Sequence, residues 1–255
     1  MLPIPIGDDN SDRHLVPVVN YLLVALNVVA FIFWQGFGID EALNSSVTFA
    51  YATVPGEILT GTDIITENRT VLDPITQQQF IMPGLGRTPV PVFFTLFTSL
   101  FLHGGIGHLV GNMLYLLIFG DNLENKMGHT RYFIFYMLSG MLAGLCHVFA
   151  TYILNQDPLI PAIGASGAIS AVLGGYILLF PTRRIRMWFL LFSLRIPAFI
   201  VVGLWFIFQV LNGIGTLGGE EGGGIAYAAH IGGFIVGLLI TKSFVKKTTP
   251  KVQRR

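Results

Sequence analysis

Charge is what this chain has least of. Asp, Glu, Lys and Arg make up only 11% of its 255 residues, where a soluble domain carries about 25%. Hydrophobic residues reach 53%. The deficit excludes an ordinary water-facing surface and points to a bilayer as solvent. Net charge is +1, which argues against a nucleic-acid partner. Cysteine is nearly absent as well. Cys146 stands alone, so an internal disulfide is excluded, and the residue reads as a small apolar one. The stretch from Met1 to Asp9 lacks a basic n-region and a cleavage site, so the expectation is that it is not a signal peptide. No internal repeat or low-complexity block interrupts the pattern.

What is present is a series of apolar runs. They predict six spans: Leu15–Gln35, Phe93–Gly120, Tyr132–Leu154, Gly164–Phe180, Ile196–Leu211 and Ile225–Phe244. Met187–Leu194 is apolar but too short to cross, since a helical crossing needs about 20 residues, and it reads as interfacial. The expected fold is an all-α membrane protein, a compact bundle of six transmembrane helices. Its parts are a short N-terminal segment (1–14), a membrane domain (15–244) and a basic tail (245–255). A polar, proline-bearing first loop (about 37–92) is too long for an ordinary connection. The stretch Gly213–Gly224 reads as a flexible hydrophilic loop.

Basic residues predict the orientation. Lys126, Arg131, Arg183, Arg184, Arg186, Arg195 and the Lys/Arg of the tail lie on one side, against only Arg69 and Arg87 on the other. The positive-inside bias then places both termini in the cytoplasm and the long loop outside.

In that orientation spans two, four and six all descend from outside to inside. Each carries polar residues near its outer end: His108 and Asn112, then Ser166, then His230. Residues far apart in sequence therefore fall at similar depth, where a polar group must find a partner. Two small-residue stripes, Gly167/Ala171/Gly175 and Ala229/Gly233/Gly237, let spans four and six approach closely. Ser166 and His230 sit beside the heads of these stripes. If the stripes meet, a Ser–His hydrogen bond can form, and such a base makes a serine hydroxyl nucleophilic. His108 and Asn112 are four apart on one helix face. With the Ser166 backbone N–H they offer three donors for an oxyanion hole. No Asp or Glu lies in the outer half of a span, so a dyad is expected rather than a triad.

Alternatives stay open at this point. Gly-Ala-Ser-Gly is also what close helix packing selects. His147 is a rival base, although no small-residue stripe brings it to Ser166. His103 is expected to structure the following Gly-Gly turn, and His14 and His129 are expected to be solvated. No metal is expected: there is no His-Glu-x-x-His, and His103 and His108 do not share a helical face. The spans hold no pair of carboxylates for an aspartyl mechanism. No cofactor is implied.

Four ordered pieces carry a resemblance: Phe101–Met113 (FLHGGIGHLVGNM), Gly120–Glu124 (GDNLE), Gly164–Gly167 (GASG) and Ala229–Gly237 (AHIGGFIVG). The chain resembles the rhomboid intramembrane serine proteases of the basic six-span bacterial type, over about Leu15 to Phe244. The resemblance implies Ser166 as nucleophile, His230 as general base, and His108 and Asn112 as oxyanion donors, with Gly164, Gly167, Gly233 and Gly237 packing the site. It also implies cleavage of single-span membrane proteins at or near a small residue, and residence in a bacterial inner membrane. Two departures stand out. The long loop lacks a Trp-Arg pair, and Ser170 stands where some members place an aromatic against the catalytic histidine. Inactive relatives that bind membrane clients without cutting them supply a second reading. A small-solute transporter is a third, but it would need charged groups at mid-membrane.

Overall fold

A computed structural model of the chain describes residues 3–39, 41–72, 79–217 and 227–246. Among these, three helices are long and apolar enough to cross a membrane: α6 (His129–Ile153), the Ala198–Gly215 part of α8 (Ala198–Leu217), and α9 (Tyr227–Phe244). A fourth crossing is bent. Val92–Phe101, which contains the single-turn helix α4 (Thr95–Thr98), meets α5 (Ile106–Met127) at 81° across the His103–Gly105 break. The second apolar run is thus not one straight helix, and its crossing part continues past Gly120 to Met127. Two apolar helices are shorter. One is α1 (Val18–Val29), prolonged by a π turn at Ala30–Trp34; the other is α7 (Ser166–Leu179). The chain is an integral membrane protein, mostly helical.

α7 is the innermost helix. Every residue from Gly167 to Tyr176 is buried, against α9, α6 and α5. Small residues make this possible. A β-carbon on Gly233 would overlap the Gly167 carbonyl oxygen, and one on Gly237 would overlap the carbonyl of Ala171. One turn further, Gly175 faces the Thr241 hydroxyl. The three contacts share one register, so α7 and α9 run parallel with their backbones in contact.

Several polar residues inside the bundle tie its helices together. Asn20 of α1 donates to the Leu116 carbonyl of α5 (3.0 Å) and accepts from the Tyr132 hydroxyl of α6 (2.7 Å). Asn27 bonds back to the Leu23 carbonyl. These ties hold where water cannot compete.

The end of the bundle that carries the arginines is a lock built on the stretch Gly120–Asn125. Gly120 has no room for a β-carbon beside Asn20 and the Tyr132 hydroxyl. Asp121 pairs with Arg13 (2.5 Å), and Asn122 donates to Asp8 (2.8 Å) and Asn10 (2.7 Å). The fully buried Glu124 carboxylate accepts the backbone N–H groups of Val19 (3.0 Å) and Asn20 (2.8 Å). It thereby caps α1, which has no capping side chain of its own. Asn125 does the same for the N–H groups of His14 and Leu15. Arg183 spans Asp12 (2.7 Å), the Asp9 carbonyl (2.9 Å) and Asn122, and lies over the Phe180 ring at 4.1 Å. His129 is not merely solvated, because its Nδ1 lies 2.5 Å from Glu124.

The fold is mostly helical, as the sequence predicts, with a small sheet added. Met187–Leu194, read as interfacial and too short to cross, forms part of a hairpin of β4 (Arg184–Phe189) and β5 (Phe192–Pro197). The N-terminal strand β1 (Ile4–Asp8) joins it, giving the antiparallel order β1-β4-β5. The alternation of Arg184, Arg186 with Ile185, Met187 is the strand signal, with Ile185 and Met187 facing the core. The run Gly213–Leu217 continues α8 rather than forming loop. The rest of the expected glycine-rich loop, and the tail beyond Lys246, lie outside the described residues.

The long segment about 37–92 also has structure: α2 (Glu41–Tyr51), α3 (Pro55–Thr60), and the antiparallel pair β2 (Arg69–Leu72) and β3 (Gln79–Met82). Glu57 fastens it, accepting from the Ile64 N–H (3.1 Å) and the Thr88 hydroxyl (3.4 Å). Thr53 exchanges two backbone bonds with Ala162 and donates its hydroxyl to the Thr95 carbonyl. The segment is therefore sewn to the loop that leads into α7, which is how it reaches the site.

Candidate active site

Ser166 is the first residue of α7. Its hydroxyl Oγ lies 2.7 Å from His230 Nε2 of α9. The two residues are 64 apart in sequence and are joined because the glycine contacts bring the heads of the two helices together. Ser170, one turn down α7, donates its hydroxyl to the Ser166 carbonyl (2.6 Å). The hydrogen bonds of the imidazole go to Ser166 and Gln209 instead. Aromatic neighbours of His230 come from elsewhere: Trp205 of α8 at 6.2 Å and Tyr227 of α9 at 6.5 Å between ring centroids.

Gly164 shapes the approach. Its φ of +118° is a conformation that favours glycine. A β-carbon there would also come within 2.9 Å of His108 Cε1 and 3.0 Å of Nε2. His108 therefore stands directly over the turn that presents Ser166. The Gly104 N–H donates to His108 Nδ1 (3.3 Å). That bond leaves the ring proton on Nε2, the atom turned toward Gly164 and Ser166. Asn112 is buried one turn further along α5, and its Nδ2 has no hydrogen-bond partner. A buried unpaired donor is uncommon and calls for a reason; an oxyanion that forms during reaction is one.

The loop before α5 is held by a residue that sequence reasoning passed over. The Gln35 side chain accepts from the His103 N–H and donates to the His103 carbonyl, both at 2.9 Å. His103 does not act on the turn through its ring. The ring is fully buried, neither nitrogen has a partner, and it packs on the His108 ring at 5.0 Å. Gln35 ends the first apolar run, and an amide at that position was the available signal.

His147 comes nearer than its sequence context implied. Gly140 and Gly144 of α6 line, with Thr53, Ser99, His147 and Ser166, one small cavity beside the nucleophile. Small residues on span three thus do bring it toward Ser166, but the hydroxyl's hydrogen bond goes to His230. Gln209 of α8 was also missed: its Oε1 lies 2.7 Å from His230 Nδ1. Among the described residues no group of three or more His, Cys, Asp or Glu could hold a metal ion.

A serine hydroxyl bonded to an imidazole at a helix start, with the His108 ring over the preceding turn, is a pairing that acyl-transfer sites use. The family follows from comparison with known proteins. The model of the rhomboid domain matches residues 91–247, and this chain belongs to the rhomboid family. It is 33% identical to Rhomboid protein 1, mitochondrial, of Saccharomyces cerevisiae over 158 residues, covering 62% of this chain and 43% of that one. It is 33% identical to Rhomboid protease GluP of Bacillus subtilis over 140 residues, 54% of this chain and 26% of that one. It is also 30% identical to Inactive rhomboid protein 1 of Drosophila melanogaster over 156 residues, 61% and 10%. The match spans less than half the length of each of these relatives. The family thus holds both a protease and a member described as inactive.

Proposed function

We propose that this chain is an intramembrane serine endopeptidase that cleaves single-span membrane proteins near the outer face of the bilayer, using Ser166 and His230 as a dyad. The observation that carries the reading is the 2.7 Å contact between Ser166 Oγ and His230 Nε2; the His108 ring over the Gly164 turn and the unpaired Asn112 amide one turn along α5 support it. In this reading Ser166 Oγ attacks the scissile carbonyl carbon, and its proton passes to His230 Nε2. The carbonyl oxygen, now negative, is held by His108 Nε2–H, Asn112 Nδ2–H and the Ser166 N–H. The C–N bond breaks as His230 returns the proton to the leaving amine. Water, deprotonated by the same imidazole, then releases the acyl group and restores the hydroxyl.

The length of α7 supports a site inside the membrane. At 1.5 Å per residue, its 14 residues reach about 21 Å, against a hydrocarbon core about 30 Å thick. With its far end at the arginine-bearing side, Ser166 stops short of the opposite surface. In this reading the arginine side and both termini are cytoplasmic, which the positive-inside bias supports. Residence in a bacterial inner membrane belongs to the same reading.

The Drosophila relative favours one alternative, a rhomboid-like protein that binds membrane clients without cutting. Purified protein in liposomes with a tagged single-span substrate separates the two. Wild type should release a fragment, Ser166→Ala and His230→Ala should not, and a fluorophosphonate should label Ser166. Near-native cleavage by either variant sinks the dyad. A folded wild type that neither cuts nor takes the label establishes the non-catalytic reading.

A further inference from the structure

A serine–histidine pair works only if the imidazole keeps the right proton on the right nitrogen. Nε2 must present a lone pair to the hydroxyl, so Nδ1 must carry the hydrogen. In solution neutral imidazole exchanges between the two tautomers, and something in the site must choose. Among the described residues no carboxylate bonds to Nδ1. The group within reach of Nδ1 is the carboxamide of Gln209, with Oε1 at 2.7 Å. Gln209 is 5% exposed, midway along α8 in the apolar run Trp205-Phe-Ile-Phe-Gln-Val-Leu211. An amide at that depth in an apolar helix is costly unless bonded.

We infer that Gln209 is the positioning residue for His230, its side-chain oxygen accepting the Nδ1 hydrogen so that Nε2 faces Ser166 as a base. The inference rests on the dyad reading above and deepens it. A carbonyl oxygen can only accept, so this contact admits one tautomer, the productive one. The same bond holds when Nε2 takes the serine proton, because Nδ1 keeps its hydrogen throughout. Gln209 thus fixes ring orientation in the ground state and offers its dipole to the imidazolium that follows. An amide does this without placing a net charge in the bilayer, which a carboxylate would. The tie also crosses an interface. Gln209 is on α8 and His230 on α9, so the orientation of the base depends on where α8 stands.

Gln209→Met tests this, since it keeps the length and removes the acceptor; Gln209→Glu keeps the acceptor. Loss of one hydrogen bond to a group that becomes charged predicts a fall in kcat of about 10- to 100-fold for Gln209→Met. KM should change little, because the bond acts on the base and not on bound substrate. Gln209→Glu should recover most of the loss. The folded protein with ¹⁵N-labelled histidine should show His230 as the Nδ1–H tautomer in wild type, and a tautomer mixture in Gln209→Met. Wild-type turnover and an unchanged imidazole spectrum in Gln209→Met overturn the proposal. So does an Nε2–H tautomer in the wild type, a measurement that stands even if the variant fails to fold. Ser166→Ala is the control. If it still cleaves, the dyad itself fails and this inference with it; if it is silent while Gln209→Met is fully active, only the positioning role falls.

Discussion

Gly233 of α9 lies against the carbonyl oxygen of Gly167 of α7 so closely that no β-carbon fits between them. The same is true one turn along, where Gly237 meets Ala171. The obstructing atoms are backbone, which cannot rotate aside as a side chain would. Gly237→Ala should therefore push the helices apart and destabilise the protein by about 1–3 kcal/mol or more. Activity should fall with it, because a displacement near 1 Å at the site costs roughly 10²-fold. Gly203→Ala on α8, with nothing within 4 Å of the new carbon, should be close to neutral. Denaturation and cleavage measured on the same preparations decide it. Equal stability of the two variants would show that α7 and α9 do not meet along this line.

His108 and Asn112 present donors that the resting protein leaves unused. If they bind the oxyanion, their loss acts on the transition state and not on bound substrate. Asn112→Ala should then lower kcat by about 10²–10³ with little change in KM, and slow labelling of Ser166 by a fluorophosphonate in proportion. A variant that melts early yet labels at the wild-type rate would assign Asn112 to structure.

Glu124 holds two backbone N–H groups of α1 from a neighbouring helix. Glu124→Ala leaves both donors buried and unpaired, at about 1–3 kcal/mol each. The expected loss is therefore about 2–6 kcal/mol. Glu124→Gln can accept one of the two, so it should lie between. Fragment release per folded molecule should stay near wild type in both, since Glu124 is at the far end from Ser166. Lost turnover in fully folded Glu124→Gln would contradict that separation.

Asp8 titrates unusually. Burial pushes its carboxyl up from 3.8 to about 7, with Asp121 adding to the shift and the Tyr176 hydroxyl and Arg183 opposing it. Between about pH 4 and pH 7 the folded protein therefore binds a proton that the unfolded chain does not. Its stability contribution falls as pH rises through that window and is flat above it. Asp8→Asn keeps an acceptor for the Tyr176 hydroxyl (2.5 Å) and removes the titration. The difference in melting temperature, variant minus wild type, should grow from pH 5 to pH 7.5. A difference independent of pH would show that Asp8 is already ionised in the folded state.

Much of the site was readable from residues alone, and the reason is geometric. A span fixes depth, and a stripe of small residues fixes which face meets a neighbour. Those two constraints are enough to bring Ser166 and His230 together in the mind before they are seen together in space. Gln209 carries little signal because an acid is the residue type expected to orient an imidazole, whereas an amide oxygen also accepts its N–H, less strongly, and is far cheaper to bury. Gln35 escaped because its bonds are to backbone, which carries no sequence signature. The β4–β5 hairpin was masked by composition: Met187–Leu194 is apolar enough to suggest only an interfacial segment, and the alternation that marks a strand begins before it, among the arginines. The run Gly120–Glu124 was recognisable as a motif, but its work, fastening Arg13, Asp8, Asn10 and the start of α1, depends on contacts more than 100 residues distant.

The pairing of Ile4 with Trp188 also has a history in time. Strand β1 is made before its partner β4, which follows about 180 residues later, on the order of 10–40 s at 5–20 residues per second. Through that interval the strand has an open edge and no sheet to join. A nascent chain stalled before Arg184 would hold α1, α5, α6 and α7 but neither the strand that pairs with β1 nor the last two spans, α8 and α9. The sheet at the arginine-bearing end is thus complete in sequence before α9 brings His230 to Ser166.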